Sequence, residues 1–144
     1  MLNKFLDTAG YISIRLKKTK SQHLVTKLEV NGFEGLFLLD TGASNSCIRL
    51  DKENDFLLIG KKSTLQLSGA GSEKLEAKPT ARSNISCKGS FILKLKFFLL
   101  DMHAINSSLS DQGSETIDGI IGADFLKRTS AIIDYKSKKL FLKV

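Results

Sequence analysis

Apolar and polar residues alternate with period two over most of the chain, the pattern of strands that keep one face in a core. In residues 11–16 the alternation puts Ile12, Ile14 and Leu16 together. Residues 23–30 alternate likewise, and Asn31-Gly32 predicts a type I′ hairpin that returns along 33–39. Cys47, Ile48 and Leu50 suit a short strand, and residues 51–56 a polar or helical turn. Residues 64–67 and 74–77 read as two short arms around Ser68-Gly69-Ala70-Gly71-Ser72, a hairpin whose tip carries little side chain. Pro79 marks an exit from that hairpin, after which 83–87 and 90–101 form strands. Residues 102–116 are Ser-rich and read as a polar loop. Residues 117–122 are apolar, 123–128 predict a short helix opening after Gly122, and 132–135 with 140–142 form a terminal hairpin. The expectation is a mainly β chain, a small closed or partly closed barrel with one short helix in its C-terminal region.

Composition narrows the class. The chain has 144 residues, 42% of them hydrophobic and 26% charged, which suits one domain with a real core. The expectation is a single domain over 1–144, with its core at about 24–142 and residues 1–20 as an N-terminal strand segment. No apolar run is long enough to span a bilayer, and no membrane partner is expected. The first residues hold no continuous apolar stretch of signal-peptide length, so a cytoplasmic protein is expected. The net charge of +7 admits a nucleic-acid partner, but the lysines are scattered and lack interleaved aromatics; a solvated basic surface is the simpler reading. Cys47 and Cys87 read as free buried thiols. His23 and His103 stand alone without metal-ligand spacing, so neither a metal nor a cofactor is expected.

Candidate chemistry concentrates at residues 36–48, LFLLDTGASNSCI, where an apolar run ends on Asp40. A lone buried carboxylate costs several kcal/mol, so Asp40 either escapes to water in a turn or is held at a cleft floor because chemistry needs it. Three features in order favour the cleft: Asp40-Thr41-Gly42-Ala43-Ser44, the glycine-tipped hairpin, and Ile120-Ile121-Gly122 followed by Ala123-Asp124-Phe125-Leu126. Together they resemble a retropepsin-like aspartic protease, the single-lobe kind typified by retroviral proteases, over residues 24–142 or so.

The resemblance implies an aspartic endopeptidase with Asp40 as its catalytic acid, supported by Thr41, Gly42 and Ala43. It makes residues 68–72 a flap over the substrate, and Ile120, Ile121 and Gly122 the second half of a crossed-loop support. Peptide hydrolysis by this route needs two carboxylates, one to take a proton from water and one to polarise the carbonyl. The chain supplies a single Asp-Thr-Gly, so the resemblance implies a homodimer with one Asp40 from each copy. An extended peptide would lie in a cleft lined by Leu36, Leu67 and Ile120. The alternative is a retropepsin-like module that dimerises or binds peptides without cutting them.

Other acids read as structural: Asp7 lacks the following glycine pattern, Asp118 suits a turn, Asp124 a hydrogen-bonding role and Asp134 a strand end. Viral relatives carry an acid two residues after the first glycine and an arginine after the later one, a pair that supports the dimer. Here those positions are Ser44 and Ala123. Dimer support must therefore come from elsewhere, and residues 11–16 and 140–144 are candidates for pairing between subunits.

Overall fold

The computed structural model describes residues 1–62, 64–68 and 74–144, with the side chains at 66–68, 74 and 75 left outside that description. In chain order the elements are α1 (Leu2–Thr8), β1 (Tyr11–Arg15), β2 (Lys17–Lys18), β3 (Leu24–Val30), β4 (Phe33–Leu39), β5 (Cys47–Arg49), a 3-10 turn (Leu50–Lys52), β6 (Leu65–Ser68), β7 (Lys74–Cys87), β8 (Ser90–Leu100), α2 (His103–Asp111), β9 (Gly119–Ile121), α3 (Ala123–Arg128), β10 (Ile132–Asp134) and β11 (Lys139–Lys143). Six strands pair in a ring, β3-β4-β9-β5-β8-β7, which the Glu29–Ser86 and Val30–Ile85 pairs of β3 and β7 close into a barrel. Strands β1, β11 and β10 form a second, three-stranded sheet.

Local chemistry sets this topology. Asn31 and Gly32 both adopt positive φ, 51° and 88°, the type I′ turn that suits the right-handed twist of β3 and β4. Strand β4 then pairs in parallel with β9, matching Phe37 to Gly119, Leu38 to Ile120 and Leu39 to Ile121. Alternation along β4 divides its apolar run between two cores. Phe37 enters the larger cluster, where it lies 6.3 Å from the Phe97 ring and shares the core with Leu28, Ile85, Ile121 and Phe125. Leu38 enters a second cluster with Val25, Cys47, Phe98, Leu100, Met102, Leu109 and Ile117.

Several expectations need correction. Among the described residues there are three α-helices, where one was expected. Residues 103–111 form α2, not a loop: Met102, Ile105, Asn106 and Leu109 recur at helical spacing, but Asn106 fills one slot of the apolar stripe and disguises it. The first twenty residues are not all strand-like either, because Leu2–Thr8 form α1 with Leu6 buried. Pro79 does not end a strand. Strand β7 runs through it, and the missing N–H falls where the register against β8 shifts between Pro79 and Arg82. Finally, β11 pairs within its own chain, with β1 and β10 on its two edges.

Among the described residues no helix is long and apolar enough to cross a membrane. The two cysteines are free, Cys47 buried and Cys87 half-buried.

The irregularity in β7 is repaired by a side chain. Thr80 is buried, and its hydroxyl donates to the Phe97 carbonyl at 3.1 Å while accepting from the Phe97 N–H at 3.0 Å. Valine keeps the shape but leaves both Phe97 groups unpaired, so Thr80→Val is expected to destabilise the fold by about 1–3 kcal/mol. Urea unfolding measures this, and a loss below about 0.5 kcal/mol would contradict the role given to the hydroxyl.

Candidate active site

Asp40 is the first residue past β4, yet its N–H still donates to the Ile121 carbonyl at 3.0 Å and so continues the parallel ladder. The chain then turns: the Asp40 carbonyl accepts from Ala43 N–H at 3.2 Å, and carboxylate Oδ1 accepts from Gly42 N–H at 2.9 Å. Gly42 is not in the left-handed region. Its value lies in proximity, because a Cβ there would stand 3.3 Å from Asp40 Oδ1. The carboxylate is half-buried, with one oxygen oriented by the backbone. Thr41 is exposed beside it and makes no side-chain hydrogen bond among the described residues. Thr41 lies in an open hollow of about 410 Å³ with Ala123, Leu126, Lys127, Ser130, Ala131 and Ile133.

Residues 43–46 rest on the start of α3. The Ala123 N–H donates to Ala43 O at 2.7 Å, and Asp124 N–H to Ser44 O at 3.2 Å. Thus the two positions that lack the viral acid and arginine, Ser44 and Ala123, each bond through backbone to the other's neighbour, Asp124 and Ala43. Ser46 completes the contact and was not singled out from the sequence. Fully buried, it donates its hydroxyl to Asp124 Oδ1 at 2.6 Å and accepts from Gly122 N–H at 2.9 Å, while its own N–H donates to Asp124 Oδ2 at 2.9 Å. At Gly122 the packing leaves no room for a side chain, as a Cβ would meet Ala43 O at 2.6 Å. Ile121 is buried in the larger core, whereas Ile120 and Leu36 are half-buried against the second cluster.

The proposed flap tip, Gly69 to Ser72, lies outside the described residues; Ser68 ends β6, which pairs with β7 from Leu65–Ala77 to Ser68–Lys74. The side chain of Leu67 is also outside the description. Ala77, at the base of this hairpin, is buried in the second cluster.

Of the other acids weighed in the sequence, Asp118, Asp124 and Asp134 have structural partners. Asp118 accepts from Leu36 N–H at 2.9 Å and donates its own N–H to Leu36 O, which ties the entry of β9 to β4. Asp134 accepts from Ser137 Oγ and Lys136 N–H in the turn between β10 and β11, and the Ser137 bond holds its carboxyl below the usual range. Asp7 lies in α1. Burial, with a smaller contribution from the nearby Asp124 charge, pushes the Cys47 thiol up to about 12, which removes it as a nucleophile near neutral pH. Among the described residues no cluster of His, Cys, Asp and Glu is arranged to hold a metal ion. A larger hollow of about 700 Å³, lined by Arg49, Asp51, Asp101, His103 and Thr116, includes none of the residues of the Asp40 loop.

A barrel closed in this way, with an Asp-Thr-Gly loop crossed against Ile-Ile-Gly, is the retropepsin-like architecture. Residues 26–125 match the family described as aspartyl protease, and the chain belongs to that family. Among solved structures it resembles a retropepsin-like aspartic protease from Rickettsia conorii, at 18% identity and TM-score 0.57, covering 92% of this chain and 90% of that one. The retroviral protease-like domain of Ddi1 from Leishmania major aligns at 20% identity and TM-score 0.58, covering 83% and 87%. EIAV protease, solved with the inhibitor HBY-793, aligns at 24% identity and TM-score 0.52, covering 76% and 90%. No curated protein sequence matches the chain.

Two outcomes test the local chemistry. Ser46→Ala leaves Gly122 N–H without its acceptor and Asp124 short of a donor, and is expected to cost about 1–3 kcal/mol. In a double-mutant cycle with Asp124→Ala the two losses should fall well short of additive, since each removes the same bond; full additivity would deny the coupling. Separately, iodoacetamide at pH 8 should leave Cys47 unmodified in the native protein and alkylate it after unfolding, read by mass spectrometry; rapid native modification would contradict its burial.

Proposed function

We propose that the protein is an aspartic endopeptidase that acts as a homodimer, with Asp40 of each copy supplying one of two facing carboxylates. The observation that carries this reading is the Asp40 loop itself. It is held on the β4–β9 ladder, braced through Ser46 and Gly122, and presents a half-buried carboxylate with one oxygen oriented by Gly42 N–H. The family supports proteolysis, and the chain holds only one such loop.

In the dimer the two carboxylates approach closely enough to share one proton, because two adjacent carboxylates cannot both ionise. The ionised one takes a proton from a bound water as that water attacks the peptide carbonyl. The protonated one donates to the carbonyl oxygen, and a proton then passes to the leaving nitrogen as the C–N bond breaks. Gly42 N–H keeps each carboxylate oriented through these steps. Residues 68–72 act as the flap, closing over an extended peptide and excluding water. Thr41, exposed next to Asp40 and without a partner in its own chain among the described residues, reaches the facing loop. The hollow it shares with Ala123, Leu126, Ala131 and Ile133 offers apolar surface to the second copy. Free thiols suit a reducing compartment, and the reading keeps the protein in the cytoplasm.

Asp40→Asn is expected to lower peptide cleavage by at least about 100-fold while the fold melts as before. Mixing gives the sharper outcome. Once subunits exchange, adding an equal amount of the Asp40→Asn chain should lower the activity of a fixed amount of wild-type protein to about half, as mixed dimers lack one carboxylate. Activity that ignores the added chain would mean that single chains cut peptides, and the reading would fall.

A further inference from the structure

The outward face of the β7–β8 pair gathers cations that lie far apart in the sequence. Ser83, Ile85, Leu95 and Phe97 point into the barrel and are buried. Alternation therefore turns Arg82 and Asn84 on β7, and Lys94 and Lys96 on β8, outward, and all four are exposed. The register sets Arg82 directly opposite Lys96 and Asn84 opposite Lys94. Arg128, at the end of α3, joins the two lysines and Arg82 as a fourth cation, its Nη1 donating to Lys94 O at 2.8 Å. Paired strands lie about 5 Å apart and alternate residues about 7 Å apart, so these charges share one small field.

The field is not compensated by the rest of the described chain. Among the described residues none of the four cations forms an ion pair with a carboxylate. Like charges directly opposite on an antiparallel pair are destabilising, so Arg82 facing Lys96 works against the fold. Lys96 Nζ lies 5.4 Å from the Phe98 ring centroid, a contact that steadies the ammonium without neutralising it. Arg128 has a structural use in its bond to Lys94 O and in the last turn of α3, where a cation is favourable.

An aromatic side chain stands at one end of the field. The register shifts between Ile85 and Ser86, and beyond the shift Phe91 lies opposite Ser86. Ser86 is on the outer surface, where its hydroxyl donates to Glu29 Oε1 at 2.9 Å. Phe91 is therefore on the same face, one row beyond Asn84 and Lys94, and it is 54% exposed. Glu29 pairs with Ser86 across β3 and β7 and also accepts from Gly89 N–H at 2.9 Å. Its carboxylate bounds the field on the β3 side, so an anionic chain is directed from Phe91 along β8 toward Lys96 and away from β3.

We propose that the outer face of β7 and β8 binds single-stranded nucleic acid without sequence preference. Lys94, Lys96, Arg82 and Arg128 contact phosphates, and the exposed Phe91 ring stacks on a base, the combination of basic track and aromatic platform that holds single strands. A duplex keeps its bases stacked inside and cannot use Phe91. Polyglutamate supplies charge but no base to stack, so both bind more weakly. Lysines that read as a scattered, solvated surface along the sequence are brought together by the pairing of β7 with β8. None of these residues belongs to the Asp40 loop, and the inference does not depend on the peptidase reading.

The test is fluorescence anisotropy of a labelled oligo-dT of about twelve nucleotides across a salt series, with thermal melting of each variant. Labelled duplex DNA and polyglutamate of similar length run beside it. Wild-type affinity is expected to fall with salt at a log–log slope of about −3, from four phosphate contacts at about 0.7 each. Lys94→Glu with Lys96→Glu is expected to weaken binding at least about 30-fold, whereas Lys4→Glu with Lys18→Glu, an equal change of charge on α1 and β2, weakens it less than about threefold. Phe91→Ala is expected to weaken it about fivefold or more with the salt slope unchanged, since stacking is not ionic. Lys96→Glu sets an acid opposite Arg82, so the first double variant is expected to melt no lower than wild type. If it melts early, Lys94→Gln with Arg82→Gln supplies that arm with a smaller loss of the same sign. Asp40→Asn is expected to bind as the wild type does, which separates this outcome from the peptidase reading. Equal losses from the two double variants, unchanged binding by Phe91→Ala, equally tight binding of duplex or polyglutamate, or no binding by the wild type at low salt overturns the assignment.

Discussion

The close approach of residues 43–46 to the start of α3 governs the rest of the structure. It holds the loop after Asp40 against Gly122 at a distance that admits no Cβ, and it replaces the usual side-chain cap of a helix. The first N–H groups of a helix lack partners within it. Here Ser46 Oγ, Ala43 O and Ser44 O receive the N–H groups of Gly122, Ala123 and Asp124 in succession. The Asp124 carboxylate then binds back to Ser46 and to Phe125 N–H, a favourable place for negative charge at a helix start. One buried contact therefore terminates the β4–β5 connection, begins α3 and fixes the backbone on which Asp40 stands.

This contact also resolves the tension in a run of apolar residues that ends on a carboxylate. The run is not one buried stripe. Phe37 faces the core that holds Phe97 and Phe125, while Leu36 and Leu38 face the second cluster, whose rim is open. Asp40 emerges at that rim half-exposed, so its charge retains water on one side and a backbone donor on the other. The desolvation that would make a lone carboxylate costly is only partial, and the carboxylate is poised without being sealed in.

What could be read from the sequence follows from how local each signal is. Strands β3 and β4 and their turn were legible because alternation and Asn31-Gly32 act over neighbouring residues, and α3 was legible from its position after Gly122. Asp40, Gly42 and Gly122 stood out as parts of a motif, and at Gly122 close backbone approach requires glycine. Ser46 left none: an ordinary serine in a polar stretch becomes fully buried only because Asp124, distant in sequence, folds onto it. Helix α2 hid for the same reason, as Asn106 occupies an apolar slot and is paid for by Ile117, also outside the helix. The continuation of β7 through Pro79 depended on the Thr80 hydroxyl bonding Phe97, again a partner on another strand.

The use of β11 inside its own chain bears on assembly. Sequence alternation made both terminal segments suitable for pairing with a second copy, but the register of β1 and β10 against β11 occupies both edges of that strand. Only the outer edges of β1 and β10 are left open in that sheet. The barrel, by contrast, closes through β3 and β7 without outside help, and Leu140 and Leu142 complete its core from within the same chain. The strands of the described barrel and its core are thus all supplied by one copy. Under the proposed function it is the chemistry that remains half made, because a single Asp40 can hold or release one proton but cannot serve as both acid and base at the same instant. Under that reading, association completes the chemistry, whereas the strands of the barrel all come from one chain.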